Sequence, residues 1–265
     1  MKRFIHIILS LGLLAAGSAQ AESGLSARLG YTFLHLETQS SEVSLSGLDN
    51  LANLALKEGP IPGSGVAVKG AGRPSVVFNY RFNDHWSAET IVAPPFEFPM
   101  EFTGTIRDQP VATTLLGSAP SGIEPFGREL GTVNALPAVV TALYSPKADG
   151  VFRPYIGAGV TYIVTFDPKV TNHILNRNGN PKLEVGQGIG FILQVGSSFH
   201  LDDNVEINLD FKYGGGVKLS GALKQVSLSS PSVQDIFRSA QAESAGVDIT
   251  MQAYVFNASV RWKMR

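Results

Sequence analysis

The sequence predicts an all-β fold: an eight-stranded antiparallel up-and-down β-barrel that spans a membrane and carries long extracellular loops. Three observations predict it. Segments in which apolar and polar residues alternate recur along the chain, and period two is the signature of a pleated strand. Short turn-rich connections alternate with long ones, which is how a membrane barrel sorts its two ends. The N-terminus reads as a secretory signal, and no later segment is long and apolar enough for a spanning helix.

The strands follow in order. The first puts Leu25, Ala27, Leu29, Tyr31 and Phe33 on one face and Ser26, Arg28, Gly30 and Thr32 on the other. The second opposes Val76, Phe78, Tyr80 and Phe82 to Val77, Asn79 and Arg81, and the third opposes Trp86, Ala88, Thr90 and Val92 to Ser87, Glu89 and Ile91. The fourth, around 133–144, is strand-like with an ambiguous phase. In the fifth, Ile156, Ala158, Val160, Tyr162, Val164 and Phe166 share a face; in the sixth, Ile189, Phe191, Leu193, Val195 and Phe199 do. The seventh, 205–213, alternates without a break and sets Glu206, Asn208, Asp210 and Lys212 against five apolar side chains. The eighth carries Tyr254, Phe256, Ala258, Val260, Trp262 and Met264 opposite Asn257, Ser259, Arg261 and Lys263. Asn83-Asp84-His85, 145–150 and 202–204 are the short turns; 38–72, 103–130, 167–185 and 214–247 are the long connections.

Composition narrows the class. Lys2 and Arg3, an apolar run over 4–16 and the small-x-small Ala19-Gln20-Ala21 predict a signal peptide over 1–21 and a barrel domain over 22–265. The net charge of −1 argues against a nucleic-acid partner, and the absence of cysteine excludes disulfides and thiol chemistry. In lipid every backbone group must be satisfied within the protein, so a spanning chain without helices must close its sheet into a barrel. The polar faces are rich in Gly, Ser, Thr and Asn, which suits the crowded interior of a small barrel. The apolar faces therefore meet lipid. The expected location is a Gram-negative outer membrane, the expected form a monomer, and the expected surroundings outer-membrane lipid and lipopolysaccharide.

Residues 150–162, Gly-Val-Phe-Arg-Pro-Tyr-Ile-Gly-Ala-Gly-Val-Thr-Tyr, resemble the F-R-P-Y-x-G-A-G-V-x-Y stretch of the OmpW family of outer-membrane proteins, which includes AlkL-type alkane-uptake proteins. Asn83-Asp84-His85-Trp86-Ser87-Ala88-Glu89 is similar to the family's D-N-W-x-x-E turn and strand. Residues 130–137 resemble its L-G-x-x-x-x-L-P entrance to the fourth strand. The resemblance implies an eight-stranded outer-membrane barrel that passes small hydrophobic molecules through a narrow channel. Family members usually end in an aromatic residue, whereas this chain ends Trp262-Lys263-Met264-Arg265.

Candidate site residues fall into three groups. Arg28, Glu89, Glu206, Asp210, Lys212 and Arg261 project inward, and the mixed signs predict a lumenal charge network, with Asp210 and Lys212 directed toward Arg28 and Arg261. It either braces the barrel or, in addition, blocks a through-pore. Pro94, Pro95 and Pro99 in strand three and Pro137 in strand four lack ladder donors. They either end their strands or weaken a lateral seam between strands three and four. Leu48, Leu51 and Leu54 in the first long connection, and Val233, Ile236 and Phe237 in the last, recur at helical spacing. They form either a ligand funnel or loop packing.

No constellation points to catalysis. Of the histidines, His200 lies two residues from Ser198 on the inward face, but near the periplasmic turn and away from the lipid-facing outer leaflet, where it reads as a lumenal polar residue. No metal-ligand cluster appears, and no cofactor is expected. The function expected is passive uptake of small hydrophobic molecules, captured by outer loops and released into the membrane or the periplasm. The alternative is a structural or surface-interaction barrel whose long loops bind a partner.

Overall fold

The computed structural model describes residues 24–49, 57–114, 117–120, 125–147, 150–202, 204–227 and 241–262. In chain order the elements are β1 Gly24–Ser40, β2 Ser44–Leu48, β3 Gly59–Pro60, β4 Ser64–Val68, β5 Ala71–Arg81, β6 Trp86–Val92 and β7 Phe96–Gly104. There follow α1 Thr105–Asp108, β8 Val111–Thr114, β9 Gly117–Pro120, β10 Glu129–Tyr144, β11 Phe152–Val170 and α2 His173–Asn178. β12 Lys182–Val185, β13 Gly188–His200, β14 Val205–Ser227 and β15 Gln241–Trp262 complete the chain.

Eight walls close into a ring. β1 pairs with β5, β5 with β6, β6 with β10, β10 with β11, β11 with β13, β13 with β14, β14 with β15, and β15 returns to β1, every pairing antiparallel. Closure follows from the chemistry of the faces. Leu29, Ile156, Ile189, Leu193 and Trp262 are more than half exposed on the outer surface, where lipid replaces water. With no water there to serve an unpaired edge, the sheet must meet itself.

The third wall comes in two pieces. β6 pairs with both β5 and β10, but Ala93, Pro94 and Pro95 interrupt it. β7 then regains β10 and passes its other edge to β4 rather than to β5.

The long connections carry more sheet than the sequence reading allowed. Much of 214–247 is strand: β14 runs on to Ser227 and β15 begins at Gln241. The 23 residues of β14 amount to about 75 Å of strand, against an apolar band about 25 Å tall. The outer half of the barrel therefore stands clear of the membrane, extended by β2, β3, β4 and β12.

A bulge breaks the alternation of that strand, so its upper part does not continue the period-two pattern. Between Gly214↔Ala253 and Val217↔Met251, β14 spends one residue more than β15. One extra residue moves every following side chain to the opposite face. Below the bulge Leu209 faces lipid and Asp210 and Lys212 face the lumen; above it Val217, Leu219 and Leu223 are buried inside and Lys218 is exposed. Gly216, at φ 75°, supplies the left-handed backbone that the turn in the ladder needs. A second shift, where β11 spends an extra residue opposite Thr132 and Asn134, coincides with Asp167 at φ 49°.

Candidate functional site

The lumen has two storeys, and the inner face of each strand shows where they meet. On β1 that face reads Arg28, Thr32, then Leu34 and Leu36; on β15, from the other end, Arg261, Ser259 and Asn257, then Val255, Met251 and Ile249. The lower storey is a polar plug and the upper one an apolar chamber.

Glu89 of β6 is the centre of the plug, 2 % exposed. One carboxylate oxygen is held by Arg28 of β1. The other accepts from Lys212 Nζ at 3.2 Å and from Gln194 Nε2 at 2.8 Å. Thr141 Oγ1 in turn donates to Gln194 Oε1 at 2.8 Å. Lys212 also contacts Asp210. Arg28 Nη1 reaches Glu206 Oε1 at 4.0 Å, and Glu206 is bound by Arg261 and by His200 Nε2, the last at 2.8 Å. The Asn208 amide bridges the Tyr155 and Ser198 hydroxyls at 2.9 Å each. Opposite charges and amides thus span the barrel from β1, β6, β13, β14 and β15, so that each buried charge has a partner.

All six residues of the candidate charge network are described, and the fold brings them together in a particular order. Asp210 meets Lys212 on its own strand, whereas Arg28 meets Glu89 and Glu206, and Arg261 meets Glu206. The expected convergence of Asp210 and Lys212 on Arg28 and Arg261 does not occur, because Glu89 from the opposite wall takes both Arg28 and Lys212. The Ser198 hydroxyl accepts from the Asn208 amide, and His200 Nε2 meets Glu206.

Above Lys212 lies a chamber of about 90 Å³. Its wall includes Leu34, Phe96, Phe98, Met100, Val133, Ala135, Ile192, Val217, Ile249 and Val255, with Thr32, Thr161 and Thr165 as the few hydroxyls. Strand alternation hid this lining. The upper inner face of β1 was legible as Leu34 and Leu36 following Thr32, but the β14 portion needs the bulge to be known.

The prolines mark a break in the wall. Pro94 and Pro95 lie between β6 and β7, Pro99 lies in β7 opposite Thr132, and Pro137 lies in β10 opposite Ile163 and lines the chamber. Strand four keeps its partners on both sides of the break, Val139 on Ile91 and Ala135 on Phe96. A second and longer gap in pairing lies between strands two and three. β5 has its last strand-three partner at Val76↔Val92, and strand three does not return to it, since β7 turns its edge to β4. Above the gap Lys69 N donates to Pro99 O at 2.9 Å. Outside, the gap opens on a groove lined by Leu29, Gly30, Pro74, Ser75, Val76, Val92, Ala93 and Pro94; Ala93 also lines the chamber inside.

Of the candidate funnel residues, Leu48 is 7 % exposed, paired with Ala242, and packed into the apolar core of the outer half rather than presented to solvent. Leu51, Leu54, Val233, Ile236 and Phe237 lie outside the described residues, as do the signal segment 1–21, Lys263 and Met264.

The sequence profile of the OmpW family matches residues 48–224. The chain is 27% identical over 192 residues to the dibenzothiophene metabolism operon protein PahQ of Pseudomonas aeruginosa, covering 71% of this chain and 76% of that one. It is 27% identical over 150 residues to outer membrane protein W of Vibrio cholerae, covering 57% and 61%. The fold is similar to the crystal structure of the outer membrane protein OprG from Pseudomonas aeruginosa, at TM-score 0.67 and 19% identity over 92% of this chain and 96% of that one.

Proposed function

The chain belongs to the OmpW family of outer-membrane β-barrels, and from that premise we propose that it is a channel for the passive uptake of small hydrophobic molecules. One observation carries the reading: an apolar chamber stands on a charge-sealed floor, and at the break in strand three Ala93 lines both that chamber and a groove on the outer surface. An apolar solute leaving water gains about 25 cal/mol for each Å² it buries, so the chamber collects it without any polar anchor. The plug below offers no apolar path. Leaving by the lumen would mean parting buried ion pairs, which costs several kcal/mol per group (about 3–5). The gap between β5 and β7 leads instead to lipid, where the solute keeps an apolar surround. We therefore read the route as capture at the outer end, passage through the chamber, and lateral release into the bilayer.

The name of PahQ connects that relative with metabolism of an aromatic sulfur heterocycle, a compact apolar molecule, and this supports the class of solute. The barrel acts as a monomer in outer-membrane lipid, with lipopolysaccharide around its outer half, and its residues do no covalent chemistry. Ala135 is 2 % exposed and lines the chamber. Ala135→Trp fills that space. Cells making the variant should take up an uncharged apolar fluorophore such as N-phenylnaphthylamine no faster than cells lacking the protein, while folded barrel remains in the outer membrane. Wild-type uptake by a folded variant would refute the reading.

A further inference from the structure

The window between β5 and strand three is short of backbone donors. Pro74 on one margin and Pro94 and Pro95 on the other have no N–H. A carbonyl left without a donor at membrane depth carries a large penalty. Pro95 O escapes it in an unusual way: Arg73 Nε, from the facing margin of β5, donates to it at 3.2 Å. Register places Arg73 opposite Thr32, whose Oγ1 meets Ser75 and Asn257 in the lumen, so Arg73 belongs to the inner face of its strand. The guanidinium thus reaches, along an exposed path, across the stretch where the ladder between the two walls is missing.

Resting on the uptake reading above, we infer that Arg73 is the latch of the lateral window. Its side chain substitutes for the absent ladder, closes the window between transits, and swings aside for an apolar solute. A backbone ladder would suit this task badly. Parting it strips several N–H and C=O groups at once, whereas moving Arg73 frees one carbonyl and a guanidinium on a flexible stem. Val76, Val92, Ala93 and Pro94 give the rest of the margin apolar side chains, and its one hydroxyl, Ser75, is engaged by Thr32 and Asn257. The latch therefore sets how often the window opens, and the chamber sets what passes.

The chain contains no cysteine, so Arg73→Cys places a single thiol at the window. The variant, in vesicles with a lipopolysaccharide outer leaflet, should pass N-phenylnaphthylamine about tenfold faster than wild type, the scale of one charge-assisted hydrogen bond. Attaching an aminoethylthio group with a methanethiosulfonate reagent restores a cationic donor to the folded protein and should return the rate toward wild type. An ethylthio group of similar size and no charge should not. A wild-type rate in the unmodified variant, or equal effects of the two adducts, would overturn the latch. If wild-type protein gives no more transfer than protein-free vesicles, the uptake reading falls and the latch with it. If wild type transfers and the Arg73→Cys outcomes are as stated, both stand.

Discussion

Glu89→Gln is the sharpest test of the plug. The substitution keeps the shape of the side chain and removes one charge from a site 2 % exposed. Glu89 accepts from Arg28, Lys212 and Gln194. An amide cannot accept on both ends, so one donor loses its partner, and Arg28 and Lys212 are left with one fewer neutralising carboxylate. Removing one member of a buried pair costs about 3–5 kcal/mol, and this site couples two cations to one acid. The expected destabilisation is therefore about 3 kcal/mol or more, read from equilibrium urea unfolding of the barrel in lipid bilayers. A cycle with Lys212→Met should return a coupling of about 1–3 kcal/mol, because the second change removes the cation that the first one orphaned. A loss below about 1 kcal/mol, or additive effects in the cycle, would mean that water reaches the plug and replaces Glu89, and the reasoning about a sealed floor would be wrong.

Two further outcomes test the wall itself. Leu193 is 52 % exposed on the outer surface, so Leu193→Arg should destabilise the barrel by about 2–4 kcal/mol in bilayers if that face meets hydrocarbon; a shift within about 0.5 kcal/mol would place it in water. Gly216→Val forces a β-branched residue into φ 75° at the β14 bulge and should lower stability by about 1–3 kcal/mol in the same unfolding assay, with Lys218→Val, on the exposed side of that strand, as the near-neutral control.

The period-two pattern made the lower barrel legible almost residue by residue. The outward set Leu209, Phe211, Tyr213 and the inward set Asp210, Lys212 needed only the alternation and the choice of lipid as outer solvent. What alternation could not supply is how two strands stand against each other. Glu89 and Lys212 lie on different walls, 123 residues apart, and only the accumulated stagger of the ring puts them 3.2 Å apart. The upper storey was hidden for a different reason. Gly214, Gly215 and Gly216 carry no hydropathy to mark the change of phase, so the run from Val217 onward read as a loop. The prolines show where donors are missing but not which neighbour loses the longer stretch of pairing. That was decided by β4, which pairs with β7 and takes the edge that β5 would have used.

The composition of the plug has an electrical consequence. Arg28, Lys212 and Arg261 are matched by Glu89, Asp210 and Glu206, all fixed to the wall of the lower barrel. A potential across a membrane does work only on net charge, about 2.3 kcal/mol per elementary charge per 100 mV. A set of three positive and three negative groups gives it almost nothing to pull on. The seal should hold equally well in dilute and in salty surroundings, whatever the Donnan potential of the outer membrane, and should show no voltage gating in a planar bilayer.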